Sequence, residues 1–207
     1  MNGLYVQFGC GFCAPNGWLN FDASPTLRFE RIPIVGKLYS KNASRFPENV
    51  RYGDIVSGLP IEHESCEGIY CSHILEHLSL TDADLALQNV YGYLMTGGTF
   101  RVVVPDLDCL ARTYIQNSSE TAAHQFMQDS YLGRKQRPRG LAGFIKDWLG
   151  NSNHMWMWDR KSLTAKLKQH GFRDIRPASF GDSENPKFID VEDKGRFEGA
   201  VAVQCRK

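Results

Sequence analysis

No window of the chain approaches the roughly 18–20 consecutive apolar residues that a bilayer-spanning helix needs. The opening MNGLYVQFG has neither a basic n-region nor an apolar h-region after it. The expectation is a soluble, cytoplasmic protein without a transmembrane segment. Charge of one sign is also missing: 24 Lys and Arg face 23 Asp and Glu, a formal net charge of +1. That balance gives no strong nucleic-acid signal, because phosphate backbones are bound through a surplus of basic residues. Cysteine is sparse, six in 207 residues, which excludes a disulfide scaffold and favours a reducing compartment. Internal repeats and low-complexity tracts are absent. A chain of this length buries a sizeable core and fits one domain, residues 1–207.

What is present is an alternation of short apolar runs with helical patterns, which predicts an α/β architecture with a mostly parallel sheet. Strands are expected at Leu4–Phe8, Trp18–Phe21, Val50–Tyr52, Gly68–Cys71, Phe100–Val104, Phe172–Arg176 and Ala200–Gln204. The last two are separated by a polar, gapped connection, Gly181–Gly199, without a helical pattern, so they should pair antiparallel. Thr81-x-x-Asp84 resembles a capping box that opens a helix with Leu87, Val90 and Leu94 on one face, and Gly97-Gly98 closes it. A polar helical segment follows over Leu107–Leu132. Asp159 can cap a helix that carries Leu163 and Leu167 and stops at Gly171. The stretch at about 25–48 is a basic insertion whose three prolines preclude one long helix. It is either a solvated face or a contact for an anionic substrate. A second basic run, Arg134–Arg139, reads as a loop. It precedes Leu141–Leu149, where Phe144, Ile145 and Trp148 form an apolar cluster suited to core or lid.

The first strand ends in Gly9-Cys10-Gly11 and the second in Asp22. Glycines let a backbone approach a nucleotide-type ligand closely, and a carboxylate accepts hydrogen bonds from a ribose. The third glycine of G-x-G-x-x-G is missing, since position 14 is Ala, and the acid arrives earlier than the usual spacing of about 20 residues. The plain alternative is a tight turn between buried strands. Cys10-x-x-Cys13 is a redox or zinc pattern in form, with Cys66 and Cys71 as the other half of a zinc set. A turn rather than a helix follows it, so packing roles are expected instead.

His73-Ile74-Leu75-Glu76-His77 matches the zinc signature H-x-x-E-H, in which two histidines on a helix bind the metal. Here His73 follows directly on a strand, and a third ligand is not evident downstream, so no metal is expected. Asp106, at the end of the fifth strand, points toward whatever the glycine loop holds, or else Asp106 or Asp108 caps the next helix. His154 sits among Met155, Trp156, Met157 and Trp158, a pocket wall or ordinary packing.

Taken together the chain resembles a class I S-adenosylmethionine-dependent methyltransferase of the small stand-alone kind. The resemblance rests on F-G-C-G, W-L-N-F-D, Y-G-D-I with G-L-P-I, S-H-I-L-E-H-L, L-M-T-G-G, V-V-P-D-L, and H-x-x-x-W-D with a late G-F. It covers nearly the whole chain. It implies a Rossmann-like domain with a seven-stranded sheet, an antiparallel last strand pair and helices on both faces, and S-adenosyl-L-methionine as cofactor. By position, Gly9, Cys10 and Gly11 would line the methionine moiety and Asp22 would bind the ribose. Asp54 and Ile55 would flank the adenine, and Ser72 and His73 would lie under the sulfonium and substrate. H-I-L-E-H is then the turn after strand four. The first helix has almost no room between Gly11 and Asp22, and the usual basic-Pro-Gly-Gly is Met95-Thr96-Gly97-Gly98.

The implied function is methyl transfer to a small-molecule or saccharide-like acceptor, with about 113–158 as a lid or substrate-side segment. A hydroxyl acceptor calls for a general base, for which His73, Asp106 and His154 are the candidates. An amine or thiol acceptor does not. Two other readings stay open: a catalytically silent cofactor-binding partner protein, and a nucleic-acid methyltransferase.

Overall fold

Short apolar strands need cover on both faces, and the chain supplies it by alternating strand with helix. A computed structural model describes residues 3–33, 45–134, 136, 139–140 and 153–207. Lys37 and Lys41 of the basic insertion, Lys135, Arg137 and Pro138 of the second basic run, and Phe144, Ile145 and Trp148 lie outside the described residues. The strands are β1 Leu4–Phe8, β2 Leu19–Asp22, β3 Val50–Tyr52, β4 Cys66–Ser72, β5 Leu94–Pro105, β6 Arg173–Pro177 and β7 Ala200–Arg206. The described α-helices are α1 Pro25–Glu30, α2 Leu80–Tyr93, α3 Leu107–Gln116, α4 Ala122–Asp129 and α5 Arg160–Gln169.

One seven-stranded sheet has the order β3-β2-β1-β4-β5-β7-β6. β1 pairs in parallel with both β2 and β4, β4 with β5, and β2 with β3. β7 runs antiparallel to β5 and to β6, as expected from the last connection. Strand residues alternate between two cores. Val6, Phe8, Val102, Val104, Val201 and Val203 pack with Leu87, Val90, Leu163 and Leu167 of α2 and α5. Tyr5, Val103 and Ala202 face the other way, onto Trp18, Phe188 and Val191. That second face is covered by the Gly181–Gly199 connection, which holds 3-10 helices at Pro186–Asp190 and Lys194–Phe197. Phe188 and Val191 anchor it, part of a short apolar cluster in an otherwise polar stretch.

Three local expectations are corrected. α2 is capped by Ser79, whose hydroxyl accepts from Asp82 N at 3.1 Å and donates to Asp82 at 2.7 Å, so the box lies two residues before Thr81 and Asp84. Asp84 instead pairs with Lys166 and His170 of α5, at 2.9 and 2.8 Å. α2 also ends at Tyr93, not at the glycines; Gly97 and Gly98 lie in the long β5 and exchange hydrogen bonds with Lys207. The 107–132 segment is two helices, broken where the Asn117 side chain accepts from Ser119 N. The Asp159 cap is present as a full capping box with Ser162, and Gly171 takes φ +92° where α5 ends.

β5 carries a fully buried cation, Arg101. It pairs with Glu192, donates to Gln204 at 3.0 Å and to the Ser179 carbonyl at 2.6 Å, and lies 2.8 Å from Asp182. The arginine thereby ties the covering connection to the sheet.

Candidate functional site

The strand order reverses between β1 and β4, and ligands of open α/β sheets sit outside the carboxyl ends of strands at such a point. Gly9–Gly11 after β1, Asp22 closing β2, Asp54 after β3, Ser72 and His73 at the end of β4 and Asp106 after β5 all fall along that edge. β1 and β2 are joined by only ten residues, Gly9 to Trp18. Two buried amides hold that link in place of a helix. Gln7 donates to the Cys13 carbonyl at 2.7 Å and to the Asn20 side-chain oxygen at 2.6 Å, and Asn20 donates to the Pro15 carbonyl at 3.3 Å. Neither stood out in the sequence, although each is a polar residue interrupting an apolar strand.

Gly9 and Gly11 both have left-handed backbones, at φ +65° and +54°. Their reasons differ. A Cβ on Gly9 would stand 1.9 Å from the Ile74 side chain, whereas one on Gly11 would meet nothing within 4 Å. The loop therefore rests on the β4 turn at Gly9 and faces open space at Gly11. The buried Asp22 carboxylate accepts from Gly11 N at 2.9 Å through one oxygen and from Ser24 N at 2.8 Å through the other. Each oxygen keeps a further lone pair for a hydroxyl. Ser72 is buried, and its Oγ has no close hydrogen-bond partner among the described residues beyond the neighbouring Tyr70 hydroxyl. A weakly satisfied hydroxyl and an open loop on the same sheet edge fit a polar, nucleotide-sized group.

Cys10 is buried, and burial with the Asp22 carboxylate close by pushes its thiol up to about 12. An activated thiol would be shifted the other way. All six cysteines are free, and Cys66 and Cys71 lie near opposite ends of β4, so they cannot close one metal site with Cys10 and Cys13. Asp54 holds its own turn, accepting from Val56 N at 2.9 Å and Ser57 Oγ at 3.0 Å. The Ile55 side chain is committed to the main core, so what it can offer a ligand is backbone.

His73 stands at φ +57° between Glu76, whose carboxylate is 3.4 Å from Nδ1, and the Arg196 carbonyl, 2.9 Å from Nε2. Burial pulls its pKa down, but these two acceptors outweigh burial and the net shift is upward. Arg196 also donates to the Ser72 carbonyl at 3.2 Å, another contact not apparent from sequence. Asp106 is the cap of α3, accepting Asp108 N at 3.0 Å through Oδ1, while Asp108 pairs with Arg112. Leu107 N donates to the Trp158 carbonyl at 2.8 Å, which brings the 153–158 segment beside β5. His154 is half-buried and its pKa is lowered, chiefly by burial. The structure places it against the β4 turn: Met155 N and Trp156 N both donate to the Glu76 carbonyl, and one ligand atom each of Glu76, His77 and His154 lie within 4.8 Å of one another. In the basic insertion, Arg28 lies over the Tyr52 ring and Arg31 donates to the Pro47 carbonyl, so both serve internal contacts.

This sheet order is that of the class I S-adenosylmethionine-dependent methyltransferase fold. Among solved structures, the chain is similar to a SAM-dependent methyltransferase from Thermotoga maritima, at 16% identity and TM-score 0.51, over 100% of this chain and 83% of that one. It is likewise similar to one from Archaeoglobus fulgidus, at 16% identity and TM-score 0.51, over 99% and 86%. A third, PigF with SAH, aligns at 14% identity and TM-score 0.52 over 99% of this chain and 50% of PigF. The likeness is one of fold. No family model matches the chain, and no curated protein matches it. No helix among the described residues is long and apolar enough to cross a membrane.

Proposed function

We propose that the protein binds S-adenosyl-L-methionine at the β1–β4 switch point and transfers its methyl group to a small-molecule or saccharide-like acceptor. The observation that carries this reading is the open cradle at Gly11, held by the doubly anchored Asp22 carboxylate, with the buried Ser72 hydroxyl on the same sheet edge. Asp22 would hold the ribose, and the Gly9–Gly11 backbone and Ser72 would hold the amino-acid end. Bound there, the cofactor supplies an electrophilic methyl group on a sulfonium. The chain's part is orientation, because aligning an acceptor behind that bond contributes on the order of 7–11 kcal/mol.

For a hydroxyl acceptor, the candidate bases separate by geometry. Both His73 nitrogens are engaged, so His73 acts as a fixed wall beside the site. Asp106 keeps Oδ2 without a hydrogen-bond partner among the described residues, so it takes the acceptor proton. The engagement of His73 is also what favours a second reading, cofactor binding without transfer.

Calorimetric titration with S-adenosylmethionine up to about 1 mM, the top of the usual KM range, tests the first half. Absence of heat at that concentration, with folded protein, rejects the proposal. Labelled-methyl transfer to pooled hydroxyl, saccharide and amine acceptors tests the second. A fall of about 10²- to 10⁴-fold in kcat for Asp106→Asn supports Asp106 as base, and binding without any transfer selects the silent reading.

A further inference from the structure

The H-x-x-E-H run leaves a problem that the turn after β4 does not solve. Glu76 is fully buried, and neither carboxylate oxygen has a hydrogen-bond partner among the described residues. A buried carboxylate of this kind calls for a cation. His73 Nδ1, 3.4 Å from Oε1, is the one cationic neighbour among the described residues, and it approaches a single oxygen while its Nε2 meets the Arg196 carbonyl.

The inverzincin pairing does not form. Leu75–His77 is a single 3-10 turn, and His73 lies before it on a left-handed backbone, so the two histidines do not share an α-helical face. A different set converges: Glu76 and His77 from that turn, and His154 from a segment 77 residues further on. His154 supplies the third ligand that the sequence around the motif lacks.

Three features of the set suit a metal. His77 Nδ1 is 3.2 Å from the Asn153 carbonyl, which fixes the proton there and leaves the Nε2 lone pair free, the outer-sphere arrangement usual for metal-bound histidine. The His77 and His154 rings meet edge to face, with centroids 5.0 Å apart and planes at 76°, rather than stacked. Their ligand atoms and that of Glu76 lie within 4.8 Å of one another, against about 3.3 Å between ligands on a tetrahedral ion with bonds of about 2.0–2.1 Å. Closing the remaining gap requires the half-buried imidazoles to turn, with His154 adjusting its 3.3 Å contact between Nδ1 and the Met157 sulfur. The Met155 and Trp156 amides on the Glu76 carbonyl already hold the two strands of chain together.

We propose that Glu76, His77 and His154 form a binding site for a zinc-class divalent ion. Two imidazoles and one carboxylate are borderline ligands that suit zinc, and three protein ligands leave a fourth position for water or an acceptor oxygen. The ion neutralises the buried carboxylate and staples residues 153–158 to the β4 turn. The proposal is independent of S-adenosylmethionine binding, since it is tested without the cofactor.

The test is equilibrium dialysis of the full chain against zinc, with metal analysis, together with Co(II) absorption spectra. Expected are one equivalent of zinc, visible Co(II) bands of a low-coordinate N/O site, and a zinc-dependent rise in Tm. His154→Ala and His77→Ala should each lose more than the about 10- to 100-fold in affinity that outer-sphere changes cost. Both residues are partly exposed, and circular dichroism verifies their folding. Cys13→Ser and His73→Ala should retain the ion. Absence of stoichiometric zinc in the wild-type protein, retention of zinc by both histidine variants, or its loss in Cys13→Ser or His73→Ala would overturn the proposal.

Discussion

Two buried charges sit on neighbouring strands or their ends, and they are treated in opposite ways. Arg101 on β5 has a carboxylate, an amide oxygen and a carbonyl on its guanidinium, so its network is closed. Glu76, in the turn after β4, is as deeply buried, and among the described residues its carboxylate meets only His73, at a long 3.4 Å and through one oxygen. A closed network belongs to the scaffold, because every desolvated atom has recovered a partner. An open one marks a place where the fold is incomplete without something further. Ser72 and Glu76 lie on the carboxyl edge of the sheet with the candidate site, while Trp18 Nε1 and Tyr70 OH lack a close partner in the core under the covering connection.

The largest effect should come from opening the closed network. Arg101→Met leaves the buried Glu192 carboxylate without a countercharge, with only the Gly181 amide on it, and should cost about 3–5 kcal/mol in urea unfolding. A loss below about 1 kcal/mol would show that Glu192 escapes to solvent, and the contrast with Glu76 would fail. Next is Asp22→Ala, which removes a charged acceptor from two backbone amides and from the proposed ribose contact. Losing a hydrogen bond to a charged group costs about 1.5–3 kcal/mol, so S-adenosylmethionine affinity should fall roughly 10- to 100-fold by calorimetry, with the fold retained by circular dichroism.

Glu76→Gln should behave unlike Arg101→Met. In metal-free protein it removes a buried charge that only His73 meets, at 3.4 Å, so unfolding free energy should change by less than about 1 kcal/mol or rise. A loss as large as that of Arg101→Met would mean the carboxylate is well paired after all. The smallest effect is reserved for a pair at the surface. Lys166 and His170 hold the Asp84 carboxyl below its ordinary 3.8. Its contribution is therefore complete above that value and lost as pH falls through the lower folded value. Asp84→Asn should flatten the acid limb of the stability curve slightly, by no more than a surface pair allows, about 0.2–1 kcal/mol. An unchanged acid limb would show the pair to be inert.

Much of the fold is legible in the chain because its signals are local. β1 and β3 match their apolar runs residue for residue, and the other strands differ mainly at their ends. The Asp159 cap follows from the residues beside it. The Ser79 cap was displaced because S-x-x-D and T-x-x-D overlap there, and only the start of the helix decides between them. Phe188, Val191 and Arg101 carry no periodic signal; their roles come from partners far away in sequence. The same holds for the site. The glycines, Asp22 and the β4 end are readable as strand-end residues, whereas the approach of His154 to Glu76 and His77 depends on how the 153–158 segment returns to the sheet.

The ten-residue link between β1 and β2 bears on how the chain folds as well as on what it holds. Closing a loop costs entropy that grows with the logarithm of its length, about 0.6 kcal/mol per doubling. Phe8 meets Phe21 across this short link, but meets Cys71 on its other side only after a chain several times longer has been gathered in. Parallel pairing is ordinarily slow because a long crossover must come first. Here one parallel pair is nearly as local as a hairpin, so joining the cradle's two walls costs less closure entropy than adding the central strand that completes it.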